Sequence, residues 1–245
     1  MTQDTIPVAL VTGGSRGIGR AISLRLAQDG FAIAVNYAGN AQAAQATVQA
    51  IQAAGGRAMA VQGDVADPAA VASMFDAAQA FGPLQVVVNS AGVMAMAPID
   101  SAQVGSFDRM IATNLRGAFL VLAEAARRLE EGGRIIALSS SVIAKAFPGY
   151  GPYIASKAGV EGLVKVLANE LRGRGITANV IAPGPVETEL FLNGKSAETL
   201  EQIAQMAPMQ RIGQPEEIAG AVAFLAGPDG QWVNAQVLRV NGGMA

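Results

Sequence analysis

The chain has 245 residues, of which 51% are hydrophobic and only 15% charged, with a net charge of −2; about 25% charged is usual for a soluble domain. That balance gives no electrostatic case for a nucleic-acid or anionic-membrane partner, and no charge-free run of about 18 apolar residues predicts a membrane span. Histidine and cysteine are both absent, so no disulfide or imidazole or thiolate metal site is expected, and any proton chemistry must come from Tyr, Lys, Asp, Glu, Ser or a bound cofactor.

The N-terminal Met1–Pro7 has no basic stretch followed by an apolar one and does not read as a signal peptide, so the cytoplasm is the expected location. Val8–Thr12 is a short apolar run that stops at glycines, and Arg20–Gln28 follows with helical spacing, Gly30 being placed to cap it. Ala32–Asn36 reads as a strand and the Ala/Gln-rich Ala41–Ala54 as a helix ending at Gly55-Gly56. Further strands are predicted at Ala58–Gln62, Val86–Asn89, Arg134–Ser139, Thr177–Ala182 and Gln236–Val240, with helices near Pro68–Ala80, Ser106–Arg128 and Pro152–Arg172. This alternation predicts a doubly wound α/β fold, a mostly parallel sheet with helices on both faces. Continuous apolar strands such as Val86-Val87-Val88 fit a sheet buried on both sides. No linker, repeat or charge block divides the chain, so 1–245 is expected to be one domain, near the upper size for a continuous core. The irregular Pro183–Met209 stretch predicts a lid at 184–209.

Four groups of residues fall at the predicted strand ends. Gly13-Gly14-Ser15-Arg16-Gly17-Ile18-Gly19 leaves the first strand and opens a helix, a spacing that suits a tight turn and a pyrophosphate at a helix N-terminus. The second strand ends in Asn36-Tyr37-Ala38-Gly39-Asn40, with no acid where NAD-type sites hold the ribose hydroxyls; a 2′-phosphate is thereby permitted, and Arg16 could match its charge. Asn89-Ser90-Ala91-Gly92 follows the fourth predicted strand and Ser139-Ser140-Ser141 the fifth. Tyr153 and Lys157 lie four residues apart on a predicted helix, hence on one face with Cβ atoms roughly 5–6 Å apart. A phenol beside an ammonium is expected to have a lowered pKa. Each group alone is equally a turn or a helix surface; in this order, on this strand pattern, that reading fails.

Together these residues resemble the single-domain short-chain dehydrogenases/reductases, from one end of the chain to the other. Thr12–Gly19 matches the family's cofactor loop, Asp64-Val65 its adenine-contacting pair, and Asn89-Ser90-Ala91-Gly92 its Asn-Asn-Ala-Gly with the second Asn replaced by Ser. Asn114 matches the catalytic asparagine, Ser140 lies thirteen residues before Tyr153 as the catalytic serine should, and Tyr153-x-x-x-Lys157 is the central motif. Pro183-Gly184-Pro185-Val186-Glu187-Thr188 matches the loop whose Thr contacts the nicotinamide amide.

The resemblance implies a Rossmann-type three-layer fold and hydride transfer between NADPH and a small carbonyl compound. Tyr153 would be the acid, Lys157 its pKa-lowering neighbour and the ribose holder, Ser140 the group orienting the carbonyl, and Asn114 the support of a water relay. The cofactor would meet Gly13, Ser15, Arg16, Gly17, Ile18, Gly19, Asn36, Tyr37, Ala38, Asp64, Val65, Asn89, Ala91, Gly92, Tyr153, Lys157, Pro183, Gly184, Val186 and Thr188. An NAD-linked alcohol dehydrogenase and a nucleotide-binding redox sensor without turnover are the alternatives. The resemblance is greatest to bacterial 3-oxoacyl-carrier-protein reductases and the broad ketone and aldehyde reductases around them; Arg174 falls where the carrier-protein reductases use a basic docking residue, whereas Glu131, at a second such position, would repel an acidic carrier protein and favours a free substrate. Met94, Met96, Phe147, Tyr150, Leu190, Phe191 and Met206 are expected to line an apolar pocket. The resemblance also implies a homotetramer, packed through Ser106–Arg128, Pro152–Arg172 and Gln236–Ala245; Val160, Leu163, Val164, Val166 and Leu167 exceed what one core-facing stripe needs.

Overall fold

The computed structural model describes residues 6–245, so most of the N-terminal segment read above lies outside the described residues. Seven strands form one sheet in the order β3-β2-β1-β4-β5-β6-β7, every adjacent pair parallel. They are β1 Val8–Thr12, β2 Ala32–Tyr37, β3 Ala58–Gln62, β4 Leu84–Asn89, β5 Arg134–Leu138, β6 Thr177–Pro183 and β7 Val237–Val240. The chain winds outward from β1 to β3, returns, and continues the other way from β4. The switch point between β1 and β4 leaves a crevice at their C-terminal ends, where ligands of open parallel sheets bind.

The helices are α1 Gly17–Gln28, α2 Ala41–Ala53, α3 Pro68–Phe81, α4 Val104–Met110, α5 Gly117–Arg128, α6 Gly151–Glu170, α7 Glu189–Leu192, α8 Ala197–Ala204 and α9 Pro215–Ala226. Alternate strand residues serve opposite faces. Leu10, Val87 and Ile135 pack with Val71 and Phe75 of α3, Val121 of α5 and Val160 and Val164 of α6. Ala9, Val11, Val86 and Val88 pack with Ile22 and Leu26 of α1, Ile51 of α2 and Ile218 and Val222 of α9. The result is the three-layer α/β/α arrangement the sequence predicts.

All seven predicted strands are present, with ends within two residues. The departures lie among the helices. The helix expected to run unbroken over 106–128 starts at Val104 and carries a wide π turn, Ile111–Arg116, between α4 and α5. The region 183–209 is not wholly irregular: Thr188 caps α7 and Ser196 caps α8, each side-chain oxygen accepting from a backbone N–H three residues on. Helix α9 has no counterpart among the predicted helices. The surplus of apolar residues on α6 is smaller than the sequence suggests: Val160, Val164 and Leu167 are buried, Leu163 packs at the core margin, and only Val166 is left 57% exposed.

Candidate active site

A cleft of about 580 Å³ opens over the C-terminal ends of β1, β2, β4, β5 and β6. The β1–α1 loop forms its floor and is fitted closely. A Cβ on Gly13, whose φ is +62°, would stand 2.9 Å from the Ala91 Cα, and one on Gly19 would stand 2.2 Å from the Gly13 carbonyl oxygen. Only glycine allows this loop to lie on the β4 loop and turn directly into α1. Ser15, Arg16, Gly17 and Ile18 complete the floor, with Arg16 exposed at the rim and without an ion-pair partner among the described residues. Tyr37 and Ala38 bound the same end, as do Asp64 and the buried Val65. No carboxylate stands at the end of β2.

Three asparagines named from the sequence sit at or beneath the cleft in supporting positions. Asn36 is buried; its Oδ1 accepts from the Gly13 N–H at 3.1 Å and its Nδ2 donates to the carbonyls of Val61 (3.2 Å) and Gly63 (3.0 Å). It touches the cleft, but its side-chain polar atoms are committed to holding the glycine loop. Asn89 does not line the cleft: its Oδ1 accepts from the Thr12 hydroxyl at 3.0 Å. Thr12, missed as an anchor, also accepts from the N–H groups of Ser90 and Ala91, both at 3.1 Å. Asn114 lies behind the wall rather than on it. Its Oδ1 accepts from the Val93 N–H and its Nδ2 donates to the Val93 carbonyl, both at 2.8 Å, with a further bond from Nδ2 to the Ser156 hydroxyl at 3.2 Å. The π turn points this side chain inward, where it clamps the loop that carries Ala91 and Gly92.

The three serines after β5 separate by role. Ser139 donates to Glu161 Oε1 at 2.8 Å and Ser141 donates to the Ala182 carbonyl at 2.8 Å, so both hydroxyls tie the strand end in place. Ser140 faces the cleft, its oxygen accepting from the Val142 N–H at 3.3 Å. Tyr153 and Lys157 come to the same spot from the first turns of α6. Lys157 is buried, and its Nζ donates to the Leu138 carbonyl at 2.8 Å and stands 5.8 Å from the Tyr153 ring centre. Removal from water brings its pKa down to about 8. The same desolvation pushes Tyr153 up to about 12, against a smaller lowering by the Ser140 hydroxyl, with Tyr150 adding a further rise. This corrects the expected lowered phenol: in the chain alone burial is the largest cause, and only the Ser140 hydroxyl opposes it.

The far end of the cleft is apolar. Met94, Phe147, Tyr150, Leu190, Phe191 and Met206 line it as predicted, whereas Met96 points away and is 58% exposed. Val142, Ile203 and Met244 also line it, a contribution the sequence did not reveal. Tyr150 stacks edge-on against Tyr153 with ring centres 6.5 Å apart. Thr188, at the start of the lid segment, lies over the glycine loop, its Cγ2 3.3 Å from where a Gly17 Cβ would be. Pro183, Gly184 and Val186 line the side between.

These features fit a dinucleotide. The glycine cradle has room only for backbone, α1 aims its free N–H groups at it, and the Lys157 ammonium uses one of three protons on protein. A parallel sheet with that cradle at its switch point, facing a Ser-Tyr-Lys set, defines a nicotinamide-dependent oxidoreductase.

Comparison with known proteins agrees. Residues 13–245 match the family model described as enoyl-(acyl carrier protein) reductase. The chain is 47% identical to an NADPH-dependent aldehyde reductase-like chloroplastic protein of Arabidopsis thaliana, covering 96% of this chain and 93% of that one. It is 43% identical to a 3-oxoacyl-[acyl-carrier-protein] reductase of Staphylococcus aureus, over 96% and 97% of the two. A short chain dehydrogenase from Burkholderia cenocepacia, solved in complex with NADP, superposes with a TM-score of 0.91 at 40% identity over 96% of each chain. The chain belongs to the short-chain dehydrogenase/reductase family.

Proposed function

We propose that the protein is an NADPH-dependent carbonyl reductase acting on free, apolar ketones or aldehydes. The observation that carries this is the convergence of Ser140, Tyr153 and Lys157 on one cleft whose far wall is apolar. The cofactor is NADP(H), and when bound it supplies the hydride for the carbonyl carbon. Ser140 donates a hydrogen bond to the carbonyl oxygen and holds it near the Tyr153 hydroxyl. Tyr153 gives its proton to that oxygen as negative charge develops there. Lys157 holds the nicotinamide ribose and favours the phenolate left behind. Asn114 holds the loop of Gly92 and Val93, and its support of a water relay is indirect because its side chain is engaged with Val93 and Ser156. Asp64, Val65, Ala91, Gly92, Gly184, Val186 and Thr188 bound the cofactor, and α7 and α8 form the lid.

A Tyr153 pKa of about 12 keeps the phenol protonated at neutral pH, which suits an acid. The NAD-linked dehydrogenase reading is disfavoured because no carboxylate stands at the end of β2 to hold the ribose hydroxyls. Arg16 beside a carboxylate-free β2 end supports NADPH over NADH. A carrier-protein substrate has less support. Arg174 donates to the carbonyls of Ala126 and Leu129 at the end of α5, and Glu131 adds negative charge nearby. The expected setting is the cytoplasm; two relatives from Arabidopsis thaliana are chloroplastic, and cell fractionation decides.

NADPH consumption with a panel of aldehydes and activated ketones tests the function. Tyr153→Phe should lower kcat by about 10²–10⁴-fold while NADPH still binds. Retention of more than about a tenth of wild-type kcat would sink the role given to the phenol. Arg16→Ala should raise the KM for NADPH roughly tenfold or more, as loss of a charge-assisted bond does, and leave that for NADH nearly unchanged. Equal wild-type kcat/KM for the two cofactors would remove the phosphate clamp.

A further inference from the structure

We infer that the C-terminal hook Asn241–Ala245 is the specificity-determining wall at the substrate end of the cleft, with Met244 as the residue that meets the substrate. The inference rests on the carbonyl-reductase reading and deepens it. After β7 the chain curls back through Gly242 and Gly243, whose φ values are +64° and +87°. Such angles are strained for side-chain-bearing residues, so the pair sets the curl. Asn241 pins it: its Nδ2 donates to the Ser141 hydroxyl at 2.9 Å and to the Ala245 backbone oxygen at 2.9 Å, and its Oδ1 accepts from the Gly243 N–H at 3.0 Å. A further bond, from the Met209 N–H to the Gly242 carbonyl at 3.2 Å, joins the hook to the end of the lid segment. Gly243 lies against Pro208 and Gly242 against Ala207 and Met209.

The hook is therefore held between two substrate-side elements: the strand end carrying Ser140, and the exit of the lid. Met244 projects from it onto the cleft and is only 7% exposed. Its flexible thioether side chain adapts to varied apolar shapes. It closes the end already walled by Phe147, Tyr150, Leu190 and Met206, and no lysine or arginine lines that end. The substrate class that fits is an uncharged carbonyl compound bearing a bulky alkyl or aryl group, with the volume at Met244 setting how bulky that group can be.

Steady-state kinetics on wild type, Met244→Ala, Met244→Trp and Met244→Leu test this, with propanal as the small substrate and 2-acetonaphthone as the bulky one. Met244→Trp should lower kcat/KM for the naphthyl ketone by about 10- to 200-fold, the range apolar pocket changes produce. Propanal should change less than about threefold, because it stays clear of this wall. Met244→Ala should shift the ratio the other way, and Met244→Leu, which keeps volume and apolarity, should leave it nearly intact. The KM for NADPH should hold in all four. If Met244→Trp fails to fold, the opposite shift in Met244→Ala carries the test. Ratios unchanged in both, or both substrates losing rate in step, would overturn the hook's role. A wild type that consumes NADPH with no carbonyl compound would instead overturn the reductase reading, and the hook with it.

Discussion

Lys157 is an ammonium buried beside the cleft with one protein hydrogen bond and no carboxylate partner among the described residues; the nearest candidate on its helix, Glu161, accepts from Ser139 instead. Its pKa of about 8 lies below the ordinary 10.5, so between those values the unfolded chain holds a proton that the folded chain lacks. Stability contributed at this site therefore rises with pH from about 8 to 10.5. Tyr153 works oppositely: from its ordinary 10.0 up to about 12 the folded chain keeps a proton the unfolded chain has lost, so stability falls with pH there. Lys157→Met should thus stabilise the cofactor-free protein at neutral pH while abolishing activity. The shift corresponds to about 3 kcal/mol, less about 1–2 kcal/mol for the orphaned Leu138 carbonyl, for a net gain of about 1–2 kcal/mol. Denaturant unfolding at pH 7 and pH 9.5 checks both the gain and its loss at the higher pH. A variant less stable than wild type at pH 7 would show that the ammonium is not a burden on the fold. The sequence places the Tyr-Lys pair four residues apart on one helix, but burial reverses the shift on the phenol. Burial is a property of the assembled layers and is not written in the local spacing.

The central strands are legible because they are largely continuous apolar runs ending in glycine or a polar turn, as a parallel sheet buried on both faces demands, whereas β6 and β7 carry Asn179 and Arg239 within such runs. Helix α9 carried signals of equal quality: Pro215 at its first position, Glu217 placed to accept from the Gln214 N–H, and Ile218, Val222 and Leu225 at helical spacing. It goes unread because it follows a long irregular segment with few cues to where order resumes. The π turn at Ile111–Arg116 is a different case. Nothing in the periodicity of a helix announces one extra residue, and its cause is a distant partner, the Val93 backbone, which accepts and donates across to Asn114. Asn114→Leu should expose that dependence. It keeps the volume but leaves the Val93 N–H and carbonyl without partners, at about 1–3 kcal/mol for each buried group. For a chain of this size that is a fall in Tm of several degrees, at roughly 2–4 °C per kcal/mol. Weaker NADPH binding should accompany it, since the clamped loop includes Ala91 and Gly92. Calorimetry and NADPH fluorescence titration read the two effects. An unchanged Tm would mean that the π turn stands without its clamp.

At the scale of the whole molecule, the charged fraction of 15% is a statement about surface. Most of the apolar excess fills two cores, yet large apolar side chains are left on the outside of the lid (Leu190, Leu192, Met206 and Met209) and, away from the cleft, in two further groups. Phe107, Phe119 (54% exposed) and Val166 lie on α4, α5 and α6. Phe224 of α9 and Trp232, 99% exposed, precede the edge strand β7, whose outer edge pairs with no strand among the described residues. Two self-complementary patches on different sides of one subunit are what a tetramer with dihedral symmetry needs, one for each kind of two-fold interface. An edge strand with large apolar neighbours also needs cover. Light scattering at micromolar concentration should therefore give about 100 kDa, four chains of 24.9 kDa. Burying one large apolar side chain stabilises by about 1.5–3 kcal/mol, and each two-fold repeats the contact. A single charge should accordingly break one interface and spare the other, so that Phe119→Glu and Trp232→Glu each leave a dimer of about 50 kDa, two chains of 24.9 kDa. A wild-type mass of 24.9 kDa would refute the assembly. A tetramer that survives both charges would keep the assembly but move its interfaces away from these two faces.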